Sequence, residues 1–119
     1  MIVLQTEGKQ NMPTDICAIF YGNDATWSNT RLVKCDPAAE VRRMKGESGP
    51  GLLIFGSGTI VALLAQEGLI DEYMLAVHPI VLGEGRSMFE GVRDKLALKL
   101  TKTRSFANGN VLLCYEPAK

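Results

Sequence analysis

Apolar and polar positions follow one another along this chain in blocks whose spacing changes from strand-like to helix-like and back. The apolar run of residues 1–4 gives way to a polar stretch, which predicts either a short strand or a loose arm over residues 1–12. The segments ICAIF at 16–20 and TRLVK at 30–34 are rich in β-branched or apolar residues. They predict two further short strands, the first of them buried.

A first helix is predicted after the second of these strands. Asp36 followed by Pro37 is typical of a helix start, because aspartate caps free N–H groups and proline fits the first turn. Ala38, Val41 and Met44 then share one helical face, and Gly46 ends the pattern.

The middle of the chain predicts a strand, a helix and a strand. LLIF at 52–55 is continuously apolar, which is typical of a strand covered on both faces. The pattern from Thr59 to Glu67 is helical, with a stripe formed by Ile60, Val61, Leu63 and Leu64, and Gly68 supplies the stop. DEYMLAVHPIVLG at 71–83 is extended, with Tyr73, Leu75 and Val77 on one side and Met74, Ala76 and His78 on the other, so both faces are expected to be buried and a central strand is predicted. The two strands are expected to be parallel neighbours joined by a right-handed crossover.

The C-terminal part predicts an antiparallel hairpin. KLALKLT at 95–101 alternates leucine with other residues, and Asn108-Gly109 sets up a tight reversal into NVLLCYE. The expected fold is therefore a single α/β domain over residues 1–119, with a mixed, mainly parallel sheet, flanking helices and this C-terminal hairpin.

Composition excludes several classes of protein. The 13 basic residues balance the 13 acidic ones, so nothing favours nucleic acid or an anionic membrane as a partner. No apolar run approaches the length of a membrane span or signal peptide, which predicts a cytoplasmic protein. Cys17, Cys35 and Cys114 lack paired spacing and are expected to be buried reduced thiols. His78 is the single histidine, which argues against a histidine metal site or a His-centred triad.

The stretch Gly56-Ser57-Gly58 marks the one place where local chemistry points to a ligand. It lies where a buried strand ends and a helix begins, so the first free N–H groups of the helix face outward at the strand's carboxyl end. Such groups, together with the helix dipole, favour a phosphate, and glycine allows a close approach. The alternative is that Ser57 or Thr59 caps the helix and the glycines only form the turn.

A longer ordered set of motifs resembles a known family. In order, these are the apolar strand at 52–55, Gly56-Ser57-Gly58-Thr59, Gly68-Leu69-Ile70-Asp71-Glu72, His78-Pro79, Gly83-Glu84-Gly85-Arg86 and Phe89, preceded by Trp27, Asn29 and Thr30. The set resembles reductases of the dihydrofolate reductase fold, in particular the C-terminal reductase domain of riboflavin-biosynthesis deaminase-reductases. The resemblance runs from about Met12 to Tyr115.

The resemblance implies an NADPH-dependent reductase. It implies that Gly56, Ser57, Gly58, Thr59 and Ile60 contact the phosphates of NADPH, and that the substrate is pteridine-like or a ribosylamino-pyrimidine. The catalytic residues stay unassigned, and no metal is expected. His78, the Asp71-Glu72 pair and Arg86 are interpreted as structural or surface residues, and Lys99, Lys102 and Arg104 as an exposed basic strand face.

The chain departs from the family pattern in two respects. By the resemblance, the first strand and helix of the family, which supply much of the substrate pocket, are expected to have no counterpart before Pro13, and Tyr21-Gly22 stands where the family has a phosphate-binding Ser-Arg pair. Loss of that pair is expected to weaken NADPH binding by about one to two orders of magnitude. Uncovered apolar flanks predict a homodimer or larger assembly. The alternative function is a catalytically inactive oligomeric relic or a module that binds another anion.

Overall fold

The computed structural model describes residues 2–4, 18–21, 30–34, 36–48 and 51–119. These residues form seven strands and two helices, in the order β1 (Ile2–Leu4), β2 (Ala18–Tyr21), β3 (Thr30–Val33), α1 (Pro37–Lys45), β4 (Leu52–Ile54), α2 (Gly58–Gln66), β5 (Glu72–Val77), β6 (Leu98–Ser105) and β7 (Val111–Pro117). The chain divides into two compact units, Met1–Leu4 with Leu53–Lys119, and Gln5–Leu52. The sequence left open whether the amino end forms a short strand or a loose arm. In the structure Ile2–Leu4 form a short strand, β1.

The smaller unit contains a two-stranded parallel sheet. β2 and β3 pair in register from Ala18 opposite Thr30 to Tyr21 opposite Val33. Both predicted strands are therefore confirmed, although the beginning of the first, at Ile16, lies outside the described residues.

The first helix begins and ends where the sequence predicts. The Asp36 carboxylate accepts a hydrogen bond from the Ala38 N–H at 3.1 Å, and Pro37 occupies the first turn. Ala38 and Val41 are buried, and the N–H of Gly46 donates to the carbonyl of Arg42 at the other end. Aspartate caps well because its oxygen satisfies an N–H group that no helical carbonyl can reach.

The larger unit contains a five-stranded sheet in the order β4-β1-β5-β7-β6. β1 pairs antiparallel with β5, β5 with β7, and β6 with β7. The expected mainly parallel sheet is not confirmed, and β4 and β5 are not neighbours because β1 lies between them. β1 is a three-residue strand at the amino end of the chain. Its sequence contains no signal that it would lie between β4 and β5.

The helix α2 is confirmed, but its buried face differs from the predicted stripe. Val61, Ala62, Leu64 and Ala65 are buried, whereas Leu63 is 37 % exposed. The small residues Ala62 and Ala65 complete the buried face, which a count of large apolar residues overlooks. Gly68 ends this segment with a positive φ of 64°, as predicted.

The strands that precede and follow α2 in the chain, β4 and β5, are less buried than predicted. In β4 all three residues are only half-buried, and Phe55, just beyond the strand, is 81 % exposed. β5 occupies the middle of the sheet as expected, but Tyr73 is its one buried residue and Val77 is 51 % exposed. Continuous apolar sequence therefore overestimated how completely these strands are covered.

The C-terminal hairpin is confirmed. β6 and β7 pair from Leu98 opposite Pro117 to Ser105 opposite Val111, with a register shift between Leu100 and Lys102. Gly109, in the connecting turn, has a φ of 88°. The basic side chains of β6 are exposed as expected, and the Arg104 guanidinium lies 4.8 Å from the centre of the Phe106 ring.

Buried cysteine is confirmed at Cys114, which is 4 % exposed and free, whereas Cys17 and Cys35 lie outside the described residues. In the described part of the chain, neither helix has the length and apolar character needed to cross a membrane.

Candidate functional site

The glycine turn joins the end of β4 to the beginning of α2. Residues 55–59 are all exposed, and the peptide bond between Gly56 and Ser57 is cis. Ser57 occupies the position before the helix in an extended conformation, and its carbonyl accepts the first helical hydrogen bond from the Val61 N–H at 3.1 Å. The turn therefore presents the start of α2 to solvent.

The structure argues against a capping role for the two hydroxyl residues of this turn. The side chain of Ser57 makes no capping hydrogen bond, and Thr59 lies inside the helix rather than before it. The N–H groups of the first helical turn precede the first helical hydrogen bond and so have no partner within α2. They are the donors that an incoming anion would use.

Charge and space at the turn both fit a phosphate. The first turn of α2 carries no acidic side chain, so no residue of that turn opposes the positive end of the helix dipole. A side chain built onto Gly56 would meet nothing within 4 Å. The residues present at Gly56–Ile60 therefore suit a phosphate group, through backbone donors rather than a basic side chain.

A loop after β5 forms the second side of this region. A Cβ placed on Gly58 would lie 3.4 Å from the carbonyl oxygen of Met88, so the loop backbone runs against the first residue of α2. The neighbouring Phe89 packs edge-on against Tyr73, with ring centroids 5.9 Å apart and planes at 64°. The loop is thereby attached to the buried part of β5.

The exposed part of this loop carries an ion pair. The Nε and Nη2 atoms of Arg86 donate to Oε2 of Glu90 at 3.1 and 3.0 Å, and both side chains are largely exposed. The interpretation of Arg86 as a surface residue agrees with this arrangement. An exposed pair of this kind contributes little to stability.

The last residue of α2 holds the far end of the same loop. Oε1 of Gln66 accepts a hydrogen bond from the Arg93 backbone N–H at 2.8 Å, and its Nε2 donates to Oδ2 of Asp94 at 2.8 Å. Nothing in the sequence signals this contact, because Gln66 and Asp94 are 28 positions apart and belong to no motif.

Tyr73 is the titratable group of the region whose environment is most clearly altered. Burial raises the pKa of its phenol above the usual 10, and the nearby negative charge of Asp71 raises it further. Both effects disfavour the phenolate, so Tyr73 stays neutral at physiological pH. It contributes packing to this region rather than acid or base chemistry.

His78 lies at the end of β5 and contacts the hairpin turn. Its Nδ1 atom is 3.1 Å from Oδ1 of Asn110, and the ring is exposed. This contact ties the end of β5 to the start of β7, in agreement with a structural role for His78. In the described residues no group of three or more potential metal ligands comes together.

With the geometry of the turn established, comparison with known proteins assigns the family. The model of the RibD C-terminal domain matches residues 1–112. The chain belongs to the RibD C-terminal domain family. The family resemblance stated from the motifs of the sequence is thereby confirmed.

Relatives in Bacillus subtilis (strain 168) match over most of this chain. The uncharacterized protein YyaP is 32 % identical over 94 residues, which cover 79 % of this chain and 47 % of YyaP. The uncharacterized protein YwjB is 28 % identical over 92 residues, which cover 76 % of this chain and 53 % of YwjB. The chain thus spans about half the length of these curated relatives.

Solved structures show the same fold at low sequence identity. A Shewanella sp. PV-4 protein described as a riboflavin biosynthesis protein superimposes with a TM-score of 0.68 at 21 % identity, covering 85 % of this chain and 60 % of that one. A pyrimidine reductase-like protein from Corynebacterium diphtheriae gives a TM-score of 0.58 at 14 % identity, covering 85 % and 49 %.

Proposed function

We propose that this chain is an NADPH-dependent reductase domain whose turn Gly56–Ile60 binds the cofactor phosphates. The observation that carries the proposal is the exposed, uncapped start of α2 in a chain that belongs to the RibD C-terminal domain family. Its structural neighbours, a riboflavin biosynthesis protein and a pyrimidine reductase-like protein, support a reductase.

The proposed reaction is hydride delivery to a small molecule, a ribosylamino-pyrimidine or a pteridine-like compound. NADPH, when bound, supplies the hydride, and the protein supplies binding and orientation. The backbone N–H groups at Gly58–Ile60 hold the phosphates, and the exposed glycine at position 56 leaves room for their approach. The backbone of Met88 limits the region on the side of Gly58.

A thermal-shift series tests the proposal. Unfolding is followed with millimolar NADPH, NADH and ATP, because absence of the Ser-Arg pair predicts weak binding. A ligand at about 100 times its Kd adds about 2.7 kcal/mol to the free energy of unfolding, which a melting curve readily detects. Stabilisation by NADPH supports the proposal. If none of the three nucleotides raises the melting temperature above that of the ligand-free protein, the proposal is refuted and the inactive relic or a module for another anion is favoured.

We also propose that the chain assembles as a homodimer. The segment after β5 presents three consecutive apolar side chains to solvent, Ile80, Val81 and Leu82, which are 66, 95 and 77 % exposed. A continuous apolar surface of this kind is typical of an interface, and a two-fold axis would bury it against its own copy. Val81→Lys should shift the mass measured by sedimentation towards the monomer, whereas Glu84→Lys, on an exposed residue of the same loop, should not. A monomeric wild-type protein at micromolar concentration would refute this proposal.

A further inference from the structure

The same loop contacts α2 at both of its ends. At the first helical residue, the Met88 backbone lies against Gly58, where a Cβ would come within 3.4 Å of the Met88 carbonyl oxygen. At the last helical residue, Gln66 holds Arg93 and Asp94. The two contact points are about 12 Å apart along the helix axis, from the rise of 1.5 Å per residue.

The segment between these contact points is tightened by two consecutive turns. The Glu90 N–H donates to the Ser87 carbonyl at 3.3 Å, and the Val92 N–H donates to the Phe89 carbonyl at 3.2 Å. A segment with this internal bonding moves as one piece more readily than a free chain does. The two turns thus connect Arg93 to Met88, beside the start of α2, through a short segment with its own hydrogen bonds.

The contact at Gln66 requires the chemistry of an amide. Its oxygen accepts from the Arg93 N–H at 2.8 Å and weakly from the Asp94 N–H at 3.5 Å, while its nitrogen donates to the Asp94 carboxylate at 2.8 Å. Glutamine and asparagine combine an acceptor and a donor in this way, whereas a carboxylate only accepts. A single substitution of Gln66 by glutamate would therefore replace the donor to Asp94 with an acceptor.

We propose that Gln66 is a positioning residue for the phosphate site. By holding Arg93 and Asp94 at one end of α2, it fixes the Met88 backbone at the other end and so sets how closely a dinucleotide phosphate approaches the first turn. The inference rests on the proposed function of that turn. It concerns two residues, Gln66 and Asp94, that touch no part of the turn themselves.

Reversing the donor and the acceptor tests this role. In Gln66→Glu the carboxylate faces that of Asp94 and repels it, whereas Asp94→Asn keeps an oxygen acceptor for Gln66. The double variant Gln66→Glu/Asp94→Asn restores one donor and one acceptor with their order exchanged. NADPH affinity, measured by calorimetry, should fall about tenfold in Gln66→Glu and stay within about twofold of wild type in Asp94→Asn and in the double variant.

Two further measurements separate positioning from other effects. Lys95→Gln alters a residue next to Asp94 and changes the net charge by the same amount as Gln66→Glu. NADPH affinity should stay within about twofold of wild type in this variant, because exposed charges at this distance from the phosphate site are screened. Hydrogen exchange at the amides of Met88 and Phe89, measured without ligand, should accelerate in Gln66→Glu and return to the wild-type rate in the double variant.

The possible failures can be told apart. Wild-type affinity in Gln66→Glu, or a double variant that does not recover, would overturn the positioning role while leaving the proposed function intact. If the wild-type protein binds no nucleotide, both the proposed function and the role of Gln66 in positioning the phosphate site would be overturned. Unchanged hydrogen exchange in Gln66→Glu would show that Gln66 does not hold the Met88 backbone.

Discussion

The rings of Tyr73 and Phe89 meet edge-on, with their centroids 5.9 Å apart. Tyr73 is buried in the middle strand of the sheet, and Phe89 belongs to the loop that runs past the start of α2. This aromatic contact attaches a largely exposed loop to the core of the larger unit, in addition to the hydrogen bonds that Gln66 makes with Arg93 and Asp94. The position of the loop beside the glycine turn thus depends on packing that is distant in sequence.

Phe89→Ala should weaken both the fold and the proposed nucleotide site. Removing the ring eliminates the aromatic contact and exposes part of Tyr73, at a cost of about 1–3 kcal/mol in the free energy of unfolding, since Phe89 is only half-buried. Phe89→Leu retains apolar contact and should lose less. Urea denaturation measures the stability of both variants, and an alanine variant as stable as wild type would show that the aromatic contact does not anchor the loop.

Gly58→Asp should abolish the nucleotide response while leaving the protein able to fold, if somewhat destabilised. An acidic residue in the first turn of a helix interacts favourably with the helix dipole, but it would repel a phosphate by about 1–4 kcal/mol at 4 Å. Gly58→Asn has nearly the same shape and no charge, so it controls for crowding against Met88, which a Cβ would approach to 3.4 Å. Thermal shift with NADPH should be lost in the aspartate variant and largely kept in the asparagine variant. Equal responses in the two would exclude a phosphate at this turn.

Stability should fall at alkaline pH because of Tyr73. Its folded pKa is raised by burial and by Asp71, so its contribution is complete below the unfolded pKa of about 10 and is lost as the pH rises through the folded value. Above pH 10 the unfolded chain releases the phenolic proton first, which favours unfolding. Tyr73→Phe removes this proton and should show a flatter profile of unfolding free energy against pH. Parallel profiles in the two proteins would contradict the assignment to Tyr73.

Gly109→Ala should destabilise the hairpin between β6 and β7. The residue has a φ of 88°, and a Cβ there would lie 3.1 Å from Cγ of Pro79. Backbone strain and the close contact together should cost about 1–2 kcal/mol. Gly85→Ala is the matched control, because a Cβ at Gly85 meets nothing within 4 Å. A difference in melting temperature between the two variants measures the effect, and equal values would refute the strain.

Asp36→Ala should destabilise α1 through loss of its cap. The carboxylate accepts from the Ala38 N–H at 3.1 Å, and loss of such a cap typically costs about 0.5–2 kcal/mol. Asp36→Asn keeps an oxygen acceptor and should retain most of the stability. Urea denaturation of the two variants distinguishes capping from charge, and an equal loss in both would assign the effect to the charge.

The sequence by itself determined the local elements whose signals lie within a few residues. Asp36 caps α1, Gly68 ends α2 and Asn108-Gly109 reverses the hairpin, because each signal acts on the backbone next to it. The family was also determined at this level, since its motifs are short and occur in a fixed order.

Tertiary structure decided which segments became neighbours and which surfaces were covered. Insertion of β1 between β4 and β5, the antiparallel pairing of β5 with β1 and β7, and the contact of Gln66 with Asp94 join residues far apart in the chain. The burial of Ala62 and the exposure of Phe55 likewise depend on what lies opposite each side chain. Such relationships leave no local trace, because they arise from the balance of packing over the whole unit rather than from the preference of any one residue.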